Sequence, residues 1–483
     1  MNDDLKKMYR LLGHVGPLPG DAPQSFGILD AAAEDPAEVP PLDLVGLEKL
    51  EQELKQHPRK TLEFMRESSD TEMTMPRLRD ALSRARQMLE DPAAAVADIE
   101  AQSAVSFGLA LPPDFTFPGM NLDEIPIDPD DRKFENDDLV GIFGWIFGAG
   151  PFALTQPDKD DFIYHNRHPE LARDFIYELE DPPPGEPLEI ALFSDFGVGR
   201  YYSKYIAKQF GARKFPYAIH LGDVYFAGRK SEFEKYFESL LDPILDDTTL
   251  FALNSNHEMY SGGKPYFDYI KRRRIEHPVK QKQEGSYFCL RSEKFQIIGI
   301  DTAFFGHGRY REDELKDWLE MVLREGRRTG RVNILLSADH PYDFSDEKLT
   351  KLLRKDLKEL VIEAGLVDLW FWGNTHYCAL YNHKSGLPFV GSCIGHGGYP
   401  YEKYTKNNKP QPAPIEFLEE KPRFPEDTGI RQEKGSNGYC VMSLNADGSL
   451  RLQYIDWMSE VHFTADLARN SAGQLLTITP VTA

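Results

Sequence analysis

Between Leu188 and Cys393 the chain repeats one pattern, a short apolar run that stops at a polar or glycine residue. The runs are LEIALFSD, YAIHLGD, TLFALNSN, FQIIGIDT, VNILLSAD, LVDLWFWGN and LPFVGSC. Near-continuous apolar runs of this length predict strands buried on both faces, with the chemistry carried by the loops at their carboxyl ends. Amphipathic stretches between them, Ser203–Phe210, Glu232–Leu241 and Arg311–Arg324, predict helices. The alternation therefore predicts a layered α/β domain. Further on, Gly438–Trp457 reads as a β-hairpin turning at Asn445-Ala446-Asp447-Gly448.

Upstream the pattern is different. Leu42, Val45, Leu47, Leu50 and Leu54 recur at helical spacing, and a second helix is predicted from Met75 to about Ala101. Residues 1–40 are rich in Pro, Gly, Ala and Asp and read as an extended or loosely packed arm, and residues 112–137 read as irregular. The expected organisation is an arm at 1–40, a helical accessory region at 41–150, a linker at 151–187 ending in EDPPPGEP, and the α/β domain at 188–470. The most apolar window, Leu139–Leu154, has 16 residues with four glycines and a proline, which is short for a membrane span and reads as a buried segment.

Composition narrows the partners. The chain has 483 residues, 41% hydrophobic and 12% aromatic, ordinary for a protein with a sizeable core. A formal charge of −22 argues against a general binder of nucleic acid or anionic membrane, both polyanions. An acidic protein handling a phosphorylated substrate or ligand needs a local positive charge, and bound metal is the obvious source. The basic run Lys271–Lys282 reads as a solvated helix face rather than a guide for substrate anions. Four scattered cysteines, Cys289, Cys378, Cys393 and Cys440, fit reduced thiols, and MNDDLKKMYRLLGHVGPLPG has no apolar core of a signal peptide, so a cytoplasmic location is expected. The sequence leaves the oligomeric state open.

Five of the strand ends carry Ser194-Asp195-Phe196-Gly197, Gly222-Asp223-Val224-Tyr225, Asn254-Ser255-Asn256-His257-Glu258, Ser337-Ala338-Asp339-His340-Pro341 and Gly373-Asn374-Thr375-His376. A lone strand-end Asp is usually a turn former. Five such ends in series bring carboxylate, amide and imidazole groups to one sheet edge, which is what a pair of divalent cations needs.

In this order the motifs resemble the calcineurin-like metallophosphoesterase superfamily, including its purple acid phosphatase branch. The resemblance covers about Leu188 to His396, and its most specific part is Gly222-Asp223 followed by Asn256-His257-Glu258. It implies a four-layer α/β/β/α metallophosphoesterase sandwich with a mainly helical N-terminal accessory region. It also implies a metal-dependent phosphoric ester hydrolase, phosphatase or phosphodiesterase, in which a hydroxide held by up to two divalent ions (Mn, Mg, Fe or Zn) attacks phosphorus in line. Asp195 and His376 would bind the first metal, Asp223 would bridge both, Asn256 would bind the second, and His257 would protonate the leaving oxygen or contact phosphate. Asn374 and Asp339 stand where the pattern has histidines, and as oxygen donors they favour harder ions such as Mg²⁺, Mn²⁺ or Ca²⁺. His340 fits the pattern only with a one-residue loop shift. His396, in Gly395-His396-Gly397-Gly398, would reach the substrate phosphate, and His307 is expected at the periphery. Tyr225 sits one residue early for the branch's tyrosine ligand, and continued strand alternation would point it the other way. The alternative reading is a metal-poor relative that binds a phosphorylated ligand or partner without hydrolysis.

Overall fold

The computed structural model describes residue 8 and residues 43–58, 75–97, 158–167, 173–183, 185–342, 348–384, 386–404, 413–424, 426, 432–469 and 476–481. The apolar window Leu139–Leu154, the irregular stretch 112–137 and nearly all of the expected arm lie outside the described residues. Among the described residues the accessory region contains helices α1 (Leu44–Gln56) and α2 (Met75–Glu90). The Asp43 carboxylate accepts the Gly46 N–H at 2.7 Å and starts α1, whose buried face is Leu47, Leu50 and Leu54. Arg86 of α2 forks onto Glu51 of α1 at 2.8 and 3.2 Å. The second helix stops at Glu90 rather than near Ala101, and after Asp91 a separate helical segment covers 92–97, with the Asp91 side chain accepting the Ala94 N–H at 3.1 Å.

Among the described residues fifteen strands follow: β1 (Ile176–Glu178), β2 (Leu188–Phe193), β3 (Tyr217–His220), β4 (Thr249–Ala252), β5 (Phe288–Arg291), β6 (Phe295–Ile300), β7 (Val332–Ser337), β8 (Leu369–Trp372), β9 (Cys378–Tyr381), β10 (Val390–Ile394), β11 (Ile415–Leu418), β12 (Gly438–Leu444), β13 (Leu450–Asp456), β14 (Val461–Arg469) and β15 (Leu476–Pro480). They form an eight-stranded sheet in the order β1-β5-β6-β7-β8-β10-β9-β11 and a seven-stranded sheet in the order β15-β14-β13-β12-β2-β3-β4. Among the described residues the α-helices of five or more residues in this part of the chain are α3 (Tyr201–Arg213), α4 (Asn256–Tyr260), α5 (Lys264–Glu276) and α6 (Asp313–Arg328).

Side-chain alternation explains how the layers stack. In β2, Ile190 and Leu192 join the large core shared with β6, β7, β8 and β12, whereas Ala191 and Phe193 join a second core with Ile206 and Phe210 of α3. On the opposite outer face α6 packs Leu315, Trp318, Leu319, Val322 and Leu323 into the large core. The result is the four-layer α/β/β/α sandwich. Every predicted apolar run contains a strand, and the predicted hairpin is β12–β13 with Leu444 opposite Leu450. Two boundaries move. β1 lies inside the expected linker and pairs with β5, and β15 lies beyond residue 470 and pairs with β14. Glu232–Leu241 is helical but irregular, with a π-helical stretch at Phe233–Glu238 between short α turns. The basic run is mostly solvated, but Arg273 and Gln281 are buried, Arg273 against Gln283 in a 2.5 Å hydrogen bond. All four cysteines are buried and unpaired. Among the described residues no helix is long and apolar enough to cross a membrane.

Candidate metal centre and active site

The carboxyl ends of β2, β3, β4, β7 and β8 meet along one edge of the sandwich. Asp195 follows β2, and its φ of 56° is left-handed, as are those of Asp223 (81°) and Asn374 (60°). Such backbone is costly for residues other than glycine and persists where the surroundings overdetermine it, which happens mostly at functional sites. Three expected ligands share this strain.

At the middle of the cluster is the Tyr225 hydroxyl. It lies 2.7 Å from Asp195 Oδ1, 3.1 Å from Asp223 Oδ2 and 2.8 Å from His376 Nε2. The expectation that Tyr225 points away is overturned. The strand geometry ends at His220, and the left-handed residues Gly222 (φ 111°) and Asp223 turn the chain, so the parity of β3 does not carry forward. Asp195 Oδ2 accepts the backbone N–H of Asn374 at 3.0 Å, which ties the β2 and β8 loops together. His376 Nε2 is 3.2 Å from Asp195 Oδ1, and its ring stacks on Tyr399 with centroids 3.9 Å apart.

The electrostatics are those of a site short of positive charge. Burial pushes both Asp195 and Asp223 upward, and Asp195's charge adds to the rise at Asp223. Burial pushes His376 down to about 3, so its imidazole is neutral, the form in which it ligates metal. Two buried carboxylates, a phenol and a neutral imidazole around one point fit a divalent cation, whose charge would let both aspartates ionise.

The expected second set is only partly gathered. Asn256 donates its Nδ2 to Tyr260 at 2.9 Å, so the ligand atom it can offer is Oδ1. Asn374 Nδ2 donates to Asp339 Oδ1 at 3.3 Å, and Asn374 Oδ1 is buried with no hydrogen-bond partner, an acceptor suited to a cation. Asp339 is thus a hydrogen-bond partner of Asn374. Its Oδ2 accepts from Thr302 Oγ1 at 2.6 Å and from the Gly308 N–H at 3.1 Å. His307 is not peripheral, because its Nδ1 is 3.3 Å from Asp339 Oδ1. The loop Gly306-His307-Gly308, whose glycines both have positive φ, brings it there from β6.

His257 Nδ1 is 2.8 Å from the Phe226 carbonyl, so Nδ1 carries the proton and Nε2 is the nitrogen that can exchange one with a substrate. Its ring centroid is 4.3 Å from that of Tyr225. Ser255, where the family pattern has glycine, places its hydroxyl between Asp223 Oδ1 and Glu258 Oε2 and N-caps α4.

His396 does not reach the centre. It is buried, and its Nε2 lies beside Gly438 of β12 on the hairpin side, within electrostatic reach of Glu419 and His462. The glycines around it serve the site instead. Gly397 N donates to Ser194 O at 3.0 Å and Tyr399 N to Asp195 O at 2.9 Å, and a Cβ on Gly395 would lie 2.1 Å from Thr375 O. The backbone of this loop braces the strained Asp195 turn.

Residues 188–378 match the calcineurin-like phosphoesterase family. That segment is similar to calcineurin-like phosphoesterase domains, a class that acts on phosphoric esters with divalent metal ions. The fold is similar to that of a purple acid phosphatase from yellow lupin (Lupinus luteus) seeds, at 15% identity and a TM-score of 0.45 over 61% of this chain and 56% of that one. It is also similar to GAP50, the anchor in the inner membrane complex of Plasmodium, at 15% identity and TM-score 0.41 over 61% of this chain and 90% of that one. A dimetal phosphatase from Danio rerio matches at 11% identity and TM-score 0.37, over 56% of this chain and 97% of that one. The chain thus spans little more than half the length of the lupin enzyme. A comparison with curated protein sequences found no match.

Proposed function

We propose that the chain is a divalent-metal-dependent phosphoric ester hydrolase whose centre is built on Asp195, Asp223, Tyr225 and His376. The observation that carries this reading is the convergence of those four side chains, with the Tyr225 hydroxyl within 3.1 Å of each of the other three. A first ion would be held by these four, and a second by Asp223, Asn256, Asn374 and Asp339, an oxygen-rich set that suits Mg²⁺ or Mn²⁺ better than zinc. When bound, such ions supply Lewis acidity to phosphoryl oxygens and lower the pKa of water. The chain's own groups do the rest. The Asn374 N–H and the Tyr225 hydroxyl fix the Asp195 carboxylate. His257, anchored through Nδ1 to Phe226 O, presents Nε2 to exchange a proton with the ester oxygen. Tyr399, stacked on His376, walls the centre and holds the imidazole plane.

The Asn374–Asp339 hydrogen bond favours a second reading, in which the second ion is not held and a phosphorylated ligand is bound without turnover. Metal content of the purified chain, with hydrolysis of p-nitrophenyl phosphate in Mn²⁺ or Mg²⁺, separates the two. Hydrolysis that Asp223→Asn lowers by at least about 100-fold supports the enzyme. No turnover with either ion, with less than one ion per chain, overturns it.

A further inference from the structure

A second group of metal-ligating side chains lies away from the Tyr225 centre, where β13 turns into β14. Asp456 ends β13, and its Oδ1 is used by the turn, accepting the backbone N–H of Met458 at 2.9 Å and of Glu460 at 2.7 Å. Its Oδ2 is buried and has no hydrogen-bond partner. That oxygen is 3.3 Å from His462 Nε2, itself buried and making no hydrogen bond, and Glu460 Oε2 is 3.8 Å from the same nitrogen. The other ring nitrogen, Nδ1, is bonded to Glu419 Oε2, and Glu419 Oε1 accepts the Lys421 N–H at 2.8 Å. The register shifts between Tyr454 and Ile455, which pair with Phe463 and Val461, so His462 is the extra residue of a bulge in β14 that re-aims its side chain.

We propose that Asp456, Glu460 and His462 form a metal site for a borderline divalent ion of the zinc type, with Glu419 as the carboxylate that orients the histidine. Three observations support it. A tetrahedral ion about 2.0–2.1 Å from its ligands sets them roughly 3.3 Å apart, the separation between Asp456 and His462 and close to that between Glu460 and His462. A ligating histidine usually gives its second N–H to a carboxylate, as His462 does to Glu419. The charge is also unbalanced, because three carboxylates surround one imidazole and Lys421 meets Glu460 on its outer oxygen at 2.7 Å. Glu419 follows β11 of the eight-stranded sheet, whereas the other three lie on β13, β14 and the turn between them in the seven-stranded one, so the ion would tie the two sheets at this end. The site shares no residue with the Tyr225 centre and stands whether or not that centre hydrolyses esters.

The test uses Zn²⁺ and the full chain stripped with chelator, in an Asp195→Asn/Asp223→Asn background that disables the Tyr225 centre. One zinc per chain is expected after gel filtration, with affinity at least tenfold weaker in Glu460→Gln and lost in His462→Gln. Glu460 is 60% exposed, so its variant tolerates the change even if His462→Gln fails to fold. No stoichiometric zinc in the background chain, or unchanged affinity in Glu460→Gln, would show that His462 is held as an imidazolium ion pair and overturn the proposal.

Discussion

Replacing Tyr225 by Phe removes a single oxygen from the middle of the centre and leaves the ring in its aromatic packing against His257 and Tyr399. That oxygen contacts two buried carboxylates and an imidazole at 2.7 to 3.1 Å. A hydrogen bond to a charged group contributes about 1.5–3 kcal/mol, and these three contacts share one hydroxyl, so the loss should be nearer one such bond than three. In chelator the variant should therefore lose about 2 kcal/mol of stability in urea unfolding. With metal present the same oxygen is a ligand, and a loss of about 2 kcal/mol is roughly a 30-fold weaker ion. Competition against a fluorescent chelator measures this directly, and hydrolysis of p-nitrophenyl phosphate at limiting Mn²⁺ should fall in parallel and recover at high Mn²⁺. If Tyr225→Phe gives the same urea midpoint and the same competition curve as the unaltered chain, the hydroxyl is not in the centre and the reasoning fails.

Two further perturbations probe the frame around the site. Gly395→Ala would put a Cβ 2.1 Å from Thr375 O, a backbone atom that cannot rotate away, so stability should fall by about 1–3 kcal/mol with a matching loss of activity, measured by urea unfolding and aryl phosphate turnover. Burial raises Glu238 to about 7 despite its ion pair with Arg272, so folding disfavours its charged form. Its contribution is fully present below about pH 4.5 and is lost as pH rises through about 7. Glu238→Gln should accordingly gain stability on the unaltered chain between pH 5 and pH 8, and urea midpoints that shift equally at both pH values would refute this.

Much of the sandwich was legible because its central strands are buried on both faces and read as unbroken apolar runs. The strands at the β15 end of the seven-stranded sheet were not. In β14 only Ala465 and Leu467 are buried, and in β15 only Leu476, so their patterns resemble loop. Asp195, Asp223 and His376 could be picked out because each lies in the short loop after an apolar strand, and the structure brings them together. Tyr225 was misjudged because parity was extended through two left-handed residues, a turn that the letters Gly222-Asp223 hinted at but did not specify. His307 reaches Asp339 only through a loop from another strand, a neighbour relation that local pattern does not contain. His396 drew attention as a polar residue among glycines, yet the backbone of that loop is what meets the Asp195 turn.

The three left-handed residues at the centre imply a conflict between durability and chemistry. Glycine at 195, 223 or 374 would relax the backbone, and mutation pressing on stability alone would drift toward it. Each such change would also delete a carboxylate or an amide from the centre. A stabilised lineage of this fold that has lost its chemistry should therefore carry the loss first at these turns, while the apolar strands that lead into them remain intact.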